Sequence, residues 1–325
     1  MINNDFNISD LTFMQLWEEY NLRLKKDLKF ESYRKTVSIF KNHLIPFFKN
    51  YLVVNINSKV YLKFLDNISQ KKYAYSTKKN IHTAMVGILN YAVKFYDLEY
   101  NVASKVGGFS KKKEIPKKYI VWELEDFSTF INVVDNEIYY LLFTAMYFTG
   151  LRIGEALALN WNDFQGAFLS ITKTLCKEKD EDGNYIINPP KTWSSIRDVP
   201  LHNDLINMIN NYYKKINTSE NFSNDWFIFG GVKPLSHTTV TRRFNKYIKK
   251  SGVKKIRLHD LRHSHATLLN AYHVPLTAIS QRLGHSDVSI TLSVYTHLIP
   301  QDINKTINSL NTISNDLKLF NDTHE

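Results

Sequence analysis

Apolar residues in the first third of the chain return at three- and four-residue steps, the spacing of amphipathic helices. Leu11, Met14, Leu16, Trp17, Tyr20 and Leu24 form one such face, and Tyr33, Val37, Phe40, Leu44, Phe47 and Phe48 form the next. Pro46 is expected to perturb the end of that second helix, because proline lacks an amide hydrogen and its ring crowds the preceding turn. Val60 to Ile68 predicts a third helix. Tyr75 to Tyr96 predicts a fourth, with Ile81, Met85, Ile88, Leu89, Ala92 and Phe95 along one side. The periodicity stops at Gly107-Gly108. Lys111-Lys112-Lys113 and Pro116 follow, a concentration of flexible, charged and helix-breaking residues. The chain therefore reads as a helical domain over residues 1–108, a basic linker over 109–117 and a larger domain over 118–325.

The larger domain is mixed. Val121 to Val133, Ile138 to Phe148 and Arg152 to Asn160 read as helices, the last entered through Thr149-Gly150. Phe168 to Leu175 alternates, which predicts a strand. Asp182-Gly183 is a hairpin-type turn, and Ile196 to Leu201 reads as a further strand. Helical patterns return over Leu201 to Tyr213, Thr238 to Lys250, Leu258 to Tyr272 and Pro275 to Leu283. The expected fold class is mostly α with a small antiparallel β-sheet (α+β).

Composition narrows the function classes. A length of 325 residues suits two domains of about 150 residues each. At 43% hydrophobic the chain can build real cores, yet no run approaches the roughly 18 consecutive apolar residues of a membrane span. Met1 to Asp10 is polar and acidic, unlike a signal peptide. Cys176 is the single cysteine, so neither an internal disulfide nor a thiolate metal site is available. A soluble, cytoplasmic protein is expected. Its net charge of +11 is unevenly spread. Residues 1–113 carry 19 Lys+Arg against 9 Asp+Glu, and the remainder carries 23 against 22. A basic module on a near-neutral body is the electrostatic footprint of a polyanion partner, although a basic surface also serves solubility. Lys71, Lys72, Lys78 and Lys79 are candidate phosphate contacts on the first domain. Arg242, Arg243 and Lys246 are candidates on the second.

Four short segments carry candidate chemistry. In Thr149-Gly150-Leu151-Arg152-Ile153-Gly154-Glu155, an arginine near a helix start and between glycines can approach a phosphate with its planar fork. Alone it could equally pair with Glu155 three positions on. In Pro190-Lys191-Thr192, a lysine read at a hairpin tip is a solvated charge unless burial among cations makes it a proton donor. In Leu258-His259-Asp260-Leu261-Arg262-His263, His259 and Arg262 project from one helix face. His259 and His263 also have a zinc-type spacing, but Asp260 stands where metalloprotease helices carry Glu. Leu283-Gly284-His285 looks like a helix end with its glycine cap, and Tyr295 follows in Val294-Tyr295-Thr296-His297. Together these give two Arg, a Lys, two His and a Tyr, with six of the eleven His between His259 and His297. The set lacks a carboxylate cluster for magnesium, a Gly-rich phosphate loop and a Ser or Cys triad signature. It holds what metal-free attack on a phosphodiester needs: a phenol nucleophile, cations for the phosphorane and groups that move protons.

In order and spacing these segments resemble the tyrosine recombinase (phage integrase) family, from about Ile115 to about Leu319. The basic helical module resembles that family's SAM-like core-binding domain. The resemblance implies two domains forming a C-shaped clamp on duplex DNA, with strand exchange through a 3′-phosphotyrosyl intermediate and neither ATP, metal nor another cofactor. It implies Tyr295 as nucleophile and Arg152 and Arg262 as ligands of the non-bridging oxygens. Lys191 would be the proton donor to the leaving 5′-oxygen, His259 a proton acceptor or stabilising donor, and His285 a phosphate or buttressing contact. Glu155 would orient Arg152 or His259. It further implies a homotetramer on two double-stranded attachment sites, with an excisionase or DNA-bending protein as accessory, in the nucleoid of a bacterial host. The amphipathic tail from Gln301 to Phe320 would pack onto a neighbouring protomer or fold back on its own domain. Many integrases of mobile elements also carry a small arm-binding domain; here the basic module begins within about a dozen residues of Met1. Integration of a phage or mobile element is the expected role. Host chromosome-dimer resolution is the alternative, and a type IB topoisomerase a more distant one.

Overall fold

Thr12 opens the first helix: its hydroxyl accepts the Gln15 amide while the Gln15 side chain accepts the Thr12 amide. The computed structural model describes residues 7–110, 120–190, 192–285 and 287. These fall in two compact units, Met1–Lys117 and Lys118–Glu325.

The first unit is helical: α1 (Phe13–Asp27), α2 (Phe30–Ile39), α3 (Ile45–Phe48), α4 (Ser58–Gln70), α5 (Tyr75–Phe95) and α6 (Val102–Val106). Its core is aromatic, with Trp17 stacked on Phe40 at 3.9 Å between ring centroids and Phe13, Phe48 and Phe64 packed beside them. Pro46 perturbs its helix upstream rather than at the end. A π-turn over Phe40–Leu44 joins α2 to α3, and the Ile45 amide bonds Phe40 O, five residues back. The wider turn makes room for a ring that would crowd the carbonyl four residues earlier.

In the second unit α7 (Leu124–Ile131), α8 (Glu137–Thr149), α9 (Ile153–Ala158), α10 (Asn203–Ile216), α11 (His237–Ser251) and α12 (Asp260–Ala271) share one large core, and α13 (Leu276–Leu283) packs on α12 in a second, small cluster of Ala266, Ile279 and Leu283. Helix α8 is buried from Leu141 through Tyr147, as a helix apolar on every side requires. Phe130 and Phe244 pack against its Phe143, with Trp122 behind them.

The β structure is two sheets where one was expected. Strand β1 (Phe168–Ile171) and β4 (Arg197–Pro200) pair antiparallel with Leu169 opposite Val199. Strands β2 (Thr174–Lys179) and β3 (Tyr185–Asn188) form the hairpin closed by Asp182-Gly183. The single strand read over Phe168 to Leu175 is thus two strands in different sheets. Between them Lys173 Nζ reaches Asp163 at 2.8 Å, tying the break to the turn after α9. A second correction concerns Pro190-Lys191-Thr192. The hairpin tip is Asp180–Asn184, whereas Pro190 and Thr192 lie past β3, on the connection to β4. Among the described residues no helix is long and apolar enough to cross a membrane.

Candidate active site

Helix α8 stops at Gly150, whose left-handed backbone (φ 68°) turns the chain into the Arg152 segment. An added Cβ would lie 2.6 Å from Leu283 Cδ2 and 2.7 Å from His265 Cδ2, so the position demands glycine for shape as well as for dihedral. Arg152 then caps α9. Glu155 accepts both the Arg152 amide (2.9 Å) and its Nη1 (2.7 Å). The local pair anticipated from the spacing therefore forms, and it aims the arginine without burying it: 36% of the side chain stays exposed. Its Nε and Nη2 hydrogens take no partner among the described residues.

Glu155 is only 5% exposed and meets a second cation, Arg197 of β4, at 3.0 Å. Burial alone would raise its pKa. Arg197 and then Arg152 override that and hold the carboxyl below its ordinary value. Arg197 also donates to Arg282 O (2.7 Å) and Ser195 O (3.0 Å). Sequence reading did not single it out. The signal available was strand alternation: Arg197 shares the inward face of β4 with buried Val199, and an inward charge requires a partner.

Arg262, in the first turn of α12, is 2% exposed. Its Nη1 donates to Gly150 O (2.9 Å) and its Nη2 to Leu283 O (2.6 Å), linking the ends of α8 and α13. His259 caps α12, its ring edge-on to His263 at 5.3 Å. Burial of its inner side, with Arg262 next, lowers the His259 pKa; burial and the neighbouring His259 bring His263 to about 4. Asp260 holds the preceding loop by accepting Arg257 at 2.7 Å. Among the described residues no three His, Cys, Asp or Glu side chains are grouped to hold a metal.

Gly284 ends α13 in a left-handed conformation (φ 67°) and delivers His285 beside the arginines. Its missing Cβ would sit 2.9 Å from Arg197 Nη1 and 3.0 Å from Ser194 O. The His285 amide bonds Ser280 O at 3.1 Å. Burial, then Arg262, Arg152 and Arg197, bring its pKa to about 4. The structure thus brings Arg152, Glu155, His259, Arg262 and His285 into one place. Lys191 and Tyr295, and the tail from Gln301 to Phe320, lie outside the described residues. His265 and Arg282 are further residues the sequence did not single out: Arg282 Nε donates to His265 Nε2 at 3.2 Å, and its Nη2 to Phe148 O at 3.1 Å. Of the candidate DNA contacts, Lys71, Lys72 and Lys79 are exposed around the α4–α5 junction, while Lys78 Nζ bonds Ser69 O at 2.9 Å. Arg242, Arg243 and Lys246 are exposed on α11.

Residues 123–302 match the Phage integrase family, and residues 12–69 match the Phage integrase, N-terminal SAM-like domain. The chain belongs to the phage integrase family. It is a tyrosine recombinase. The ICEBs1 integrase of Bacillus subtilis is 30% identical over 89% of this chain and 80% of that protein. The integrase of a Staphylococcus phage is 27% identical over 90% of each. The tyrosine recombinase XerC-like protein of Caldanaerobacter subterraneus is 28% identical over 95% and 84%. The fold is that of the Tn1549 transposon integrase solved with a circular intermediate DNA: TM-score 0.73, 17% identity, covering 93% of this chain and 100% of that one. It also matches a lambda integrase dimer bound to a core site, with TM-score 0.64, 16% identity and 87% and 95% coverage.

Proposed function

We propose that this recombinase integrates and excises a phage or integrative element by site-specific strand exchange between two duplex attachment sites. The observation that carries the reading is the convergence of Arg152, Arg262, His259 and His285 on one half-open, cationic place. The Tyr295 phenol attacks a backbone phosphate. The new tyrosyl–phosphorus bond replaces the bond to the 5′-oxygen, which leaves as a hydroxyl. The 5′-hydroxyl of the partner duplex then displaces the tyrosine, so the phosphodiester count is unchanged and no external energy enters. Arg152 and Arg262 hold the non-bridging oxygens, where charge grows in the transition state. His259, kept neutral by its surroundings, accepts the phenol proton. Lys191 protonates the leaving oxygen, and His285 contacts the phosphate. Glu155 orients Arg152.

The exposed lysines of the first unit, and Arg242, Arg243 and Lys246 of the second, contact phosphates along the duplex. A homotetramer on the paired sites, assisted by an excisionase or DNA-bending protein in the nucleoid, completes the assembly. One structural relative, lambda integrase, has been solved as a tetramer on a Holliday junction. Similarity to a XerC-like recombinase favours one second reading, resolution of host chromosome dimers. The native target site separates the two: an element's attachment site in one case, a chromosomal resolution site in the other.

A duplex nicked beside the cleavage point tests the chemistry, because the excised fragment diffuses away and traps the covalent adduct. Wild-type protein accumulates the adduct. Tyr295→Phe binds the duplex and forms none. An adduct with Tyr295→Phe means that another residue is the nucleophile.

A further inference from the structure

We propose that Arg197 is a positioning residue for strand cleavage: it takes up the charge of Glu155 and thereby leaves Arg152 free for the scissile phosphate. The proposal rests on the reading of Arg152 as a phosphate ligand. It comes from a count of donors at one buried carboxylate. Glu155 receives four: the Arg152 amide, Arg152 Nη1, Arg197 Nη1 (3.4 Å) and Arg197 Nη2 (3.0 Å). Arg197 itself is nearly saturated. Its remaining bonds go to Arg282 O and Ser195 O, and its side chain is 7% exposed. It is therefore not placed to grip DNA. Arg152 has the complementary profile, held at one corner of its fork and 36% exposed.

Charge balance gives this arrangement its function. A buried Glu155 facing Arg152 alone would make a closed neutral pair, and an incoming phosphate would compete with it for the guanidinium. Charge-assisted bonds to a buried carboxylate are strong enough to make that competition costly. With Arg197 present the three groups sum to +1. The carboxylate is shared, and Arg152 meets the phosphate as a cation already aimed. Arg197 is itself fixed from two sides, by the end of α13 through Arg282 O and by the close approach of Gly284 to its Nη1. The site's geometry and its charge are thus set by the same side chain.

The test is single-turnover cleavage of the nicked duplex with either an ordinary phosphate or a neutral methylphosphonate at the scissile position. Arg197→Met should slow the ordinary substrate roughly 10–100-fold, the range seen when an outer supporting contact is lost. Arg197→Lys keeps the charge without the fork and should lose less. Adding Glu155→Gln to Arg197→Met removes the competing carboxylate and should restore part of the rate. The deficits of Arg197→Met and Arg152→Ala should both shrink on the methylphosphonate, which asks for less cationic stabilisation. Thermal melting compares the folds; if Arg197→Met does not fold, Arg197→Lys and the double variant carry the comparison. Undiminished cleavage by Arg197→Met overturns the proposal. So does an equal loss on both substrates with no recovery in the double variant, since that is a purely structural effect. If instead Arg152→Ala cleaves normally, or methylphosphonate does not relieve it, the assignment of Arg152 itself falls.

Discussion

Gly150→Ala places the crowding at the heart of the site under direct test. The residue sits at φ 68°, and an alanine there pays the left-handed backbone cost of about 1–2 kcal/mol. The new methyl would also meet Leu283 Cδ2 at 2.6 Å and His265 Cδ2 at 2.7 Å, both in buried surroundings. Overpacking of that kind costs about 1–3 kcal/mol, so the total is about 2–5 kcal/mol. Gly252 supplies the control. It also ends a helix of the second unit, at φ 74°, but nothing lies within 4 Å of its missing Cβ. Gly252→Ala should therefore lose only about 1–2 kcal/mol. Urea unfolding followed by tryptophan fluorescence reads the difference, since four of the five tryptophans (Trp122, Trp161, Trp193 and Trp226) lie in the second unit. Gly150→Ala should in addition slow cleavage well beyond Gly252→Ala, because Gly150 O is the acceptor that holds Arg262 Nη1. Equal stabilities within about 0.5 kcal/mol, the usual spread of neutral substitutions, would refute the crowding argument.

Three further outcomes are expected. Stability should rise with pH between about 4 and 6.5: His263 and His285 titrate near 4 when folded, so the unfolded chain holds more protons in that window and folding is penalised as pH falls through it. A melting temperature flat from pH 4.5 to 7 would contradict their burial beside Arg262 and Arg152. Cleavage should persist in excess EDTA, because the described residues offer no grouped metal ligands; loss reversed by zinc would assign His259 and His263 to a metal. Lys191→Ala should cleave slowly, by about 10²–10⁴-fold for a lost general acid, yet approach the wild-type rate when the bridging 5′-oxygen is sulfur, a leaving group that needs no proton. Rescue of Arg152→Ala by sulfur instead would remove the acid role from Lys191.

The helices and the site's local motifs were legible because their information is local. Glu155 lies three residues from Arg152, and Gly284 directly precedes His285, so spacing alone suggested an ion pair and a glycine-capped turn. The Glu155–Arg197 bond joins residues 42 positions apart, and Arg262 to Gly150 spans 112. No periodicity reports such a partnership. The divided sheet was hidden for a related reason. Alternation over Phe168 to Leu175 continues through Thr172 and Lys173, which belong to neither strand, and only the strand partners, β4 for one half and β3 for the other, reveal the break. The wide turn before Pro46 reflects a choice of hydrogen-bond acceptor, which composition does not encode.

What the long-range bonds share explains why a cationic site exists before any phosphate arrives. The last carbonyls of a helix lack internal donors and carry the negative end of its dipole. Helices α8 and α13 end beside one another here, and three arginines satisfy those carbonyls. Arg262 bonds Gly150 O and Leu283 O, Arg282 bonds Phe148 O, and Arg197 bonds Arg282 O. The helix ends hold these cations in place. The Glu155 carboxylate is shared between Arg197 and Arg152. The surrounding histidines answer by staying neutral, with His285 and His263 near 4 and His265 near 3. In the proposed reaction an entering phosphate would meet fixed cations beside uncharged imidazoles. Preorganisation of this kind requires no rearrangement at the moment of reaction, which is where electrostatic catalysis draws its strength.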